Sequence, residues 1–100
     1  SKNGNQYVIN LEDIIAIEAQ ESYSCIYTKD ERYIMSKNLK HFERLLSDQK
    51  SFIRSHKSWI ININFLKFYS KAELSIQLET DILAKLSKYK KAEFEELIIR

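Results

Sequence analysis

Hydrophobic and polar residues alternate over most of the chain, which is typical of half-buried β-strands. The first half shows the pattern in residues 6–10, 15–19, 23–27 and 32–35, with a single turn at 11–14. The second half shows it in residues 65–69, 74–78 and 82–86. Because the links between these segments are only a few polar residues long, the sequence predicts antiparallel sheets built from hairpins.

Two stretches change to a helical period. Residues 36–46 predict a short amphipathic helix capped by Ser36 or Asn38, with an apolar side made of Leu39, Phe42, Leu45 and Leu46. From Ser87 onward the pattern predicts a C-terminal helix with an apolar side made of Tyr89, Phe94, Leu97 and Ile98. Its first turn carries lysines, which a helix N-terminus disfavours, so Lys88 and the amides after Ser87 predict an anion site.

The segment 51–62 places a cationic centre between apolar flanks. Arg54, His56, Lys57 and Ser58 form the centre, and the predicted core residues of this segment and the next strand are Phe52, Trp59, Ile61 and Leu74. No carboxylate lies between Asp48 and Glu73, whereas five lysines and arginines do. The segment therefore predicts a strand–turn–strand whose tip is either a solvated turn or a surface that binds an anion.

The composition is that of an ordinary globular domain, and residues 1–100 predict one domain. Residues 1–5 read as the remnant of a linker. The chain has 30% charged residues and no apolar run long enough to cross a membrane, so we expect a cytoplasmic protein without membrane contact. The lone Cys25 is expected to be a small buried hydrophobe in a reducing compartment.

Enzymatic chemistry has little support in the sequence. A single glycine, Gly4, and no proline leave no glycine-rich phosphate loop. Cys25, His41 and His56 do not have the spacing of a metal site, so neither a metal nor another cofactor is expected. A nucleophilic pair of Cys25 and His56 would require the fold to bring the two residues together. We therefore expect a protein that is not an enzyme.

Four segments resemble, in order, the LytTR DNA-binding domain of bacterial response-regulator transcription factors. The family signature is a phenylalanine, then arginine, histidine and serine at alternate positions, an apolar run and an asparagine. Phe52, Arg54, His56, Ser58 and Asn62 match it here. Residues 15–19 followed by Tyr23 resemble the first loop of the family, residues 36–46 its helix, and residues 86–89 its late segment.

The resemblance implies an elongated, mainly β fold of stacked short antiparallel sheets, with one short amphipathic helix and a C-terminal helix. It also implies sequence-specific binding to double-stranded DNA through loops inserted into successive major grooves at promoter direct repeats. The full-length protein would bind as a dimer, with an N-terminal signal-receiving domain that this chain lacks. The alternative from the residues alone is a protein-interaction module whose basic face binds an acidic partner.

Carried over by position, the candidate base-reading residues are Tyr23, Lys57, Ser87 and Lys88. The candidate phosphate contacts are Lys37, Asn38, Arg54, His56, Ser58 and Lys91. Tyr23 departs from family members that have histidine there, and a lysine at 57 favours guanine where asparagine would favour adenine.

Each of these roles has a structural alternative. Arg54 would instead bridge to a carboxylate such as Glu73, His56 would be an internal hydrogen-bonding histidine, and Tyr23 would pack with its hydroxyl in water. For Asn62, a structural role in the turn is favoured over a DNA contact.

Overall fold

The computed structural model describes residues 6–98. Eight strands and two helices follow one another: β1 Ile14–Gln20, β2 Tyr23–Thr28, β3 Arg32–Met35, α1 Leu39–Leu45, β4 Phe52–His56, β5 Trp59–Asn62, β6 Leu66–Ser70, β7 Ser75–Leu78, β8 Leu83–Lys85 and α2 Lys91–Ile98. Short 3-10 turns at Leu11–Asp13, Ile63–Phe65 and Glu79–Asp81 connect some of them. The predicted linker remnant, residues 1–5, lies outside the described residues.

All strand pairs are antiparallel and form two sheets. The larger sheet has five strands in the order β3-β2-β1-β5-β4, and the smaller has β6-β7-β8. The molecule measures 44 × 25 × 23 Å. The predicted fold class, an elongated mainly β stack of short antiparallel sheets with two helices, is confirmed.

The five-stranded sheet is covered on both faces. One face packs against α1 through Ile17, Ile26, Ile60, Leu39 and Phe42. The other packs against the smaller sheet and α2 through a larger cluster that includes Ile15, Trp59, Ile61, Ile76, Leu78, Leu86 and Phe94. Because β5 and most of β1 are buried on both sides, they read as continuous apolar runs more than as alternating ones.

Two of the four predicted core residues are only partly buried. Trp59 and Ile61 lie in the core as predicted, at 5% and 0% exposure. Phe52 and Leu74 instead pack at the margins of the two clusters. Leu74 was predicted to begin the strand 74–78. With a φ of 52° it belongs instead to the turn before β7.

Residues 6–10 do not form the predicted strand. Tyr7 and Val8 are 57% and 92% exposed, and only Ile9 packs against the cluster around α1. A strand needs a hydrogen-bonded neighbour and a surface that buries alternate side chains, and this short segment obtains little of either.

Helix α1 begins at one of its two predicted caps, whereas the C-terminal helix begins later than the sequence predicted. Asn38, not Ser36, caps α1: its Oδ1 accepts a hydrogen bond from the His41 N–H at 3.0 Å. Leu45, predicted on the apolar side of α1, is 62% exposed. The C-terminal helix begins at Lys91 and not just after Ser87, because residues 88–90 form a separate turn. Tyr89, which this turn carries, is 85% exposed and does not line the helix.

Candidate nucleic-acid interface

Several chain segments meet at one end of the five-stranded sheet. The β1–β2 turn and the β4–β5 turn lie there together, because Glu18 pairs with Trp59 and the Ala19 N–H donates to the Ser58 carbonyl at 2.9 Å. Strand β3 also leaves the sheet at this end, since Met35 pairs with Ser24. We call this end the rim; its candidate contact residues are Tyr23, Lys37, Asn38, Lys57, Ser58, Ser87 and Lys88.

Arg54 holds the β4–β5 turn closed from inside. Its Nε donates to the His56 carbonyl at 3.0 Å, and one terminal nitrogen donates to the Lys57 carbonyl at 2.6 Å. The other terminal nitrogen forms an ion pair with Glu43 of α1 at 2.8 Å. The alternative role predicted for Arg54, holding the turn, is therefore present, with Glu43 as the partner in place of the suggested Glu73. These three bonds leave two of the five guanidinium N–H groups for another acceptor.

His56 fixes the same turn through its ring. Its Nδ1 accepts a hydrogen bond from the Ser58 N–H at 3.0 Å, the pattern by which asparagine and aspartate stabilise tight turns. Burial, with the positive charges of Lys85, Lys57 and Arg54, lowers the pKa of His56 below its usual value. The ring is therefore held neutral, with the remaining proton on Nε2, and His56 is an internal hydrogen-bonding histidine as the alternative proposed.

Lys57 is the exposed residue of this fixed turn. Its carbonyl is held by Arg54, whereas its ammonium takes part in no ion pair or hydrogen bond found within residues 6–98. Ser58 beside it is half-buried, and its backbone is bonded on both sides, by Ala19 and by His56. The turn thus presents one exposed cation on a hydrogen-bonded backbone.

A buried serine joins the late segment to the rim. Register shifts between Arg54 and His56, so Ser55 is an extra residue in β4 without a partner on β5. Its hydroxyl donates to the Lys85 carbonyl at 2.9 Å, and its carbonyl accepts the Ser87 N–H at 2.7 Å. Lys88 follows, exposed, with Nζ 5.2 Å from the Tyr89 ring centroid. Ser87 and Lys88 therefore stand beside the β4–β5 turn.

The predicted anion site after Ser87 differs in its details. The Ser87 hydroxyl accepts the Tyr89 N–H at 3.2 Å, and the Ser87 carbonyl accepts the Lys90 N–H at 2.9 Å. The amides that were to bind an anion are thus used inside the turn. Lys88 itself stays free to contact one.

Another buried serine anchors the opposite side of the rim. The Ser24 hydroxyl, with no exposed surface, donates to the Lys37 carbonyl at 2.6 Å. The Lys37 side chain is exposed, and Asn38 retains its amide NH₂ while its oxygen caps α1. Tyr23, at the start of β2, is 50% exposed.

Lys91 stands apart from the other candidates. It begins α2 and lies near Glu95, whose pKa is lowered first by the hydrogen bond from Tyr69 and then by Lys71 and Lys91.

Lys85 is a residue near the turn that the sequence analysis did not name as a candidate contact. Lys85 is the last residue of β8, and its exposed side chain lies close enough to His56 to lower the pKa of that histidine. Its position in the basic run 85–91 was the sequence feature that could have identified it.

Two further residues considered in the sequence, Asn62 and Cys25, are buried. Asn62 is buried, donates to the Ile14 carbonyl at 2.9 Å and accepts the Asn64 N–H at 3.0 Å, so its predicted structural role is confirmed. Cys25 is fully buried as predicted. It lies on β2, with β1 and β5 between it and His56 on β4, so the two do not form a nucleophilic pair.

Fold and rim together define a small β domain that presents lysines on fixed loops, a class suited to binding polyanions. The chain belongs to the LytTR family: the model of the LytTr DNA-binding domain matches residues 4–99. It is a DNA-binding domain of the kind found in transcriptional regulators, and its family is not an enzyme family.

Similar proteins include two regulators and one solved structure. The heme-containing CO-sensing transcriptional regulators RcoM 2 and RcoM 1 of Paraburkholderia xenovorans are 32% and 28% identical over 74% of this chain. The chain matches 27% of the length of each. The LytTr DNA-binding domain of a protein assigned as a methyl-accepting/DNA response regulator from Bacillus cereus has the same fold, with a TM-score of 0.83 and 20% identity. That comparison covers 100% of this chain and 94% of the other.

Neither helix within residues 6–98 has the length and apolar character that a membrane span requires.

Proposed function

We propose that the chain binds specific sequences of double-stranded DNA through the rim, as the DNA-binding part of a bacterial transcriptional regulator. One observation carries this proposal. Lysines from separate segments, Lys37, Lys57 and Lys88, lie at one end of the sheet, where internal hydrogen bonds hold the carbonyls of Lys37 and Lys57 and the Ser87 N–H next to Lys88. Fixed loops lose little conformational entropy on binding, which favours a specific interface over a merely basic one.

The candidate contacts divide into two roles. Tyr23, Lys57, Ser87 and Lys88 are proposed to read base edges, as the resemblance to the family implies. Lys37, Asn38, Ser58 and Lys91 are proposed to contact phosphates. For Arg54 and His56, which already hold the β4–β5 turn, any phosphate contact is limited to the two spare guanidinium N–H groups and the imidazole Nε2–H.

The dimensions support contacts in successive grooves. One turn of B-DNA advances about 34 Å, and the domain is 44 Å long. The longest dimension of the domain therefore exceeds the spacing of successive major grooves on one side of a duplex. We propose that the loops enter them at direct repeats upstream of regulated promoters.

The wider protein is proposed from its relatives. We propose a cytoplasmic two-component response regulator, with a signal-receiving domain N-terminal to this one, that dimerises on DNA. The RcoM proteins are transcriptional regulators, which supports the regulator role. Residues 1–5 would then be the end of a linker between the two domains.

Selection from random duplexes, followed by titration in rising salt, tests the proposal. The purified chain is expected to enrich one short motif, and its affinity for that motif should exceed its affinity for a scrambled duplex. With about four to six phosphate contacts, log K against log salt should fall with a slope of about −4 to −5. A slope near zero, or enrichment of no motif, would contradict DNA recognition and favour an acidic protein partner instead.

A further inference from the structure

The ion pair between Glu43 and Arg54 connects helix α1 to the β4–β5 turn. The Glu43 Oε1 lies 2.8 Å from the Arg54 terminal nitrogen, and the side chains are 49% and 22% exposed. Glu43 is on α1, which packs on the face of the sheet, whereas Arg54 is on the edge strand β4. An acidic side chain is thus placed next to a turn proposed to approach DNA.

The guanidinium group explains why this carboxylate affects the turn. The group is rigid and planar, so its N–H groups point in fixed relative directions. Arg54 uses two of these directions for the His56 and Lys57 carbonyls and a third for Glu43. The hydrogen bond to Glu43 on α1 restricts rotation of the guanidinium plane. It therefore keeps the bonds to the His56 and Lys57 carbonyls aligned.

We propose that Glu43 is a positioning residue for DNA recognition, which acts through Arg54 to fix the turn that carries Lys57. The inference rests on the proposed function and adds to it a residue that makes no contact with DNA. A fixed turn presents the Lys57 ammonium to one base position; a turn free to shift leaves its charge intact but spreads the ammonium over several positions.

If Glu43 acted only through its charge, its removal would change the affinity for DNA and not the discrimination between duplexes. A carboxylate near DNA repels phosphates, so its loss should strengthen binding to every duplex. Positioning instead predicts that its loss weakens discrimination between duplexes. The ratio of affinities for the selected and the scrambled duplex separates the two accounts, because a change in overall charge cancels in the ratio.

Three substitutions provide the test in the intact chain. Glu43→Ala removes both charge and acceptor, Glu43→Gln removes the charge but keeps an acceptor oxygen for Arg54, and Glu93→Ala is the matched control. Glu93 lines the same cleft between α1, β4 and α2, is 58% exposed, and pairs with Lys90 in place of Arg54. Alanine is favourable in a helix, so the variants are expected to keep the fold and a near-native melting temperature.

Glu43→Ala should lower the selected-to-scrambled affinity ratio by about two- to fivefold, the range of exposed ion pairs. Glu43→Gln should retain most of the ratio, and Glu93→Ala all of it. If wild type discriminates and Glu43→Ala keeps the wild-type ratio, Glu43 is not a positioning residue. The proposal also fails if Glu43→Ala and Glu93→Ala lower this ratio alike. Equal binding of both duplexes by the wild type would instead overturn the proposed function itself, and this inference with it.

Discussion

At the scale of single residues, Arg54 and His56 stabilise the turn that carries Lys57. Arg54 and His56 have the chemistry of phosphate contacts, yet three of the five guanidinium N–H groups and the imidazole Nδ1 are bonded within the protein. The ammonium of Lys57, which follows His56, has no ion pair or hydrogen bond among residues 6–98. Such a division allows the turn to bring one cation to a defined place without relying on glycine or proline, of which residues 51–62 contain none.

The neutral state of His56 makes the turn sensitive to acid. Its folded pKa lies below the unfolded value of 6.5, so between these values the unfolded chain binds more protons, and stability falls as the pH falls. The effect begins near pH 6.5 on acidification and is complete below the folded pKa. Protonation also removes the Nδ1 acceptor of the Ser58 N–H.

His56→Asn provides the comparison, because asparagine can accept the same N–H but does not titrate. We expect the free energy of unfolding of the wild type to decline relative to that of His56→Asn as the pH falls from neutral through 6.5 and below, measured by denaturant titration. A constant difference over this range would show that His56 titrates equally in both states.

At the scale of elements, two buried serines connect loops to the central sheet. Ser55 and Ser24 each have no exposed surface; Ser55 donates to the carbonyl of Lys85 at the end of β8, and Ser24 donates to the carbonyl of Lys37 between β3 and α1. A hydroxyl in a β-strand is too small to disturb packing but removes an unpaired carbonyl from the loop that it meets. The loops are thereby held without adding secondary structure to them.

Ser55→Ala is expected to lower the free energy of unfolding by about 1–2 kcal/mol, because the Lys85 carbonyl loses its buried partner. Its specific consequence should be faster amide hydrogen exchange at Ser87, whose N–H is bonded to the Ser55 carbonyl. Ser24→Ala is the matched control: a similar loss of stability, with the exchange of Ser87 unchanged. Equal acceleration in both variants would mean that Ser55 has no local effect on the late segment.

The elements were predicted well where burial determines them and poorly where local hydrogen bonds do. Residues 14–35 and 66–85 have alternating or apolar strands, and the boundaries of these strands differ from the predicted ones by at most one residue. The start of α2 was missed because Ser87 caps a separate turn, through a bond to Tyr89 that periodicity does not encode. Likewise, no sequence pattern identifies Glu43 as the partner of Arg54, since α1 and β4 meet only in the folded molecule.

At the scale of the whole molecule, the rim depends on a core that both sheets share. Trp59 begins β5 next to the turn, is 5% exposed, and stacks on Tyr27 with ring centroids 6.1 Å apart. It belongs to the cluster that joins the larger sheet to the smaller one and to α2. Its side chain therefore stabilises the turn and the sheet contact at once.

Trp59→Ala should lower the free energy of unfolding by about 3–5 kcal/mol, since it leaves a large cavity in this cluster. Phe68→Ala, at a site that is 61% exposed, serves as the control and should change the stability by less than about 1 kcal/mol. Chemical denaturation of both variants measures the difference. A native-like midpoint for Trp59→Ala would refute its role in the core.

The two ends of the five-stranded sheet allow the central claim to be tested with charge held constant. Lys57 lies at the rim, whereas Lys29 lies in the β2–β3 turn at the opposite end of the same sheet, and both are exposed. Replacing either with alanine removes one positive charge from the molecule. A DNA site at the rim makes only the first of these lysines a contact residue.

The decisive measurement is a titration of Lys57→Ala and Lys29→Ala against the selected duplex and a panel of its single-base variants. Lys57→Ala should lose about 1–3 kcal/mol on the selected duplex and lose the preference at one base pair. Lys29→Ala should bind every duplex as the wild type does, within the small effect of one distant charge. Equal losses for the two variants would contradict a DNA site at the rim. A loss for Lys57→Ala that is uniform over the panel would make Lys57 a phosphate contact and contradict its base-reading role.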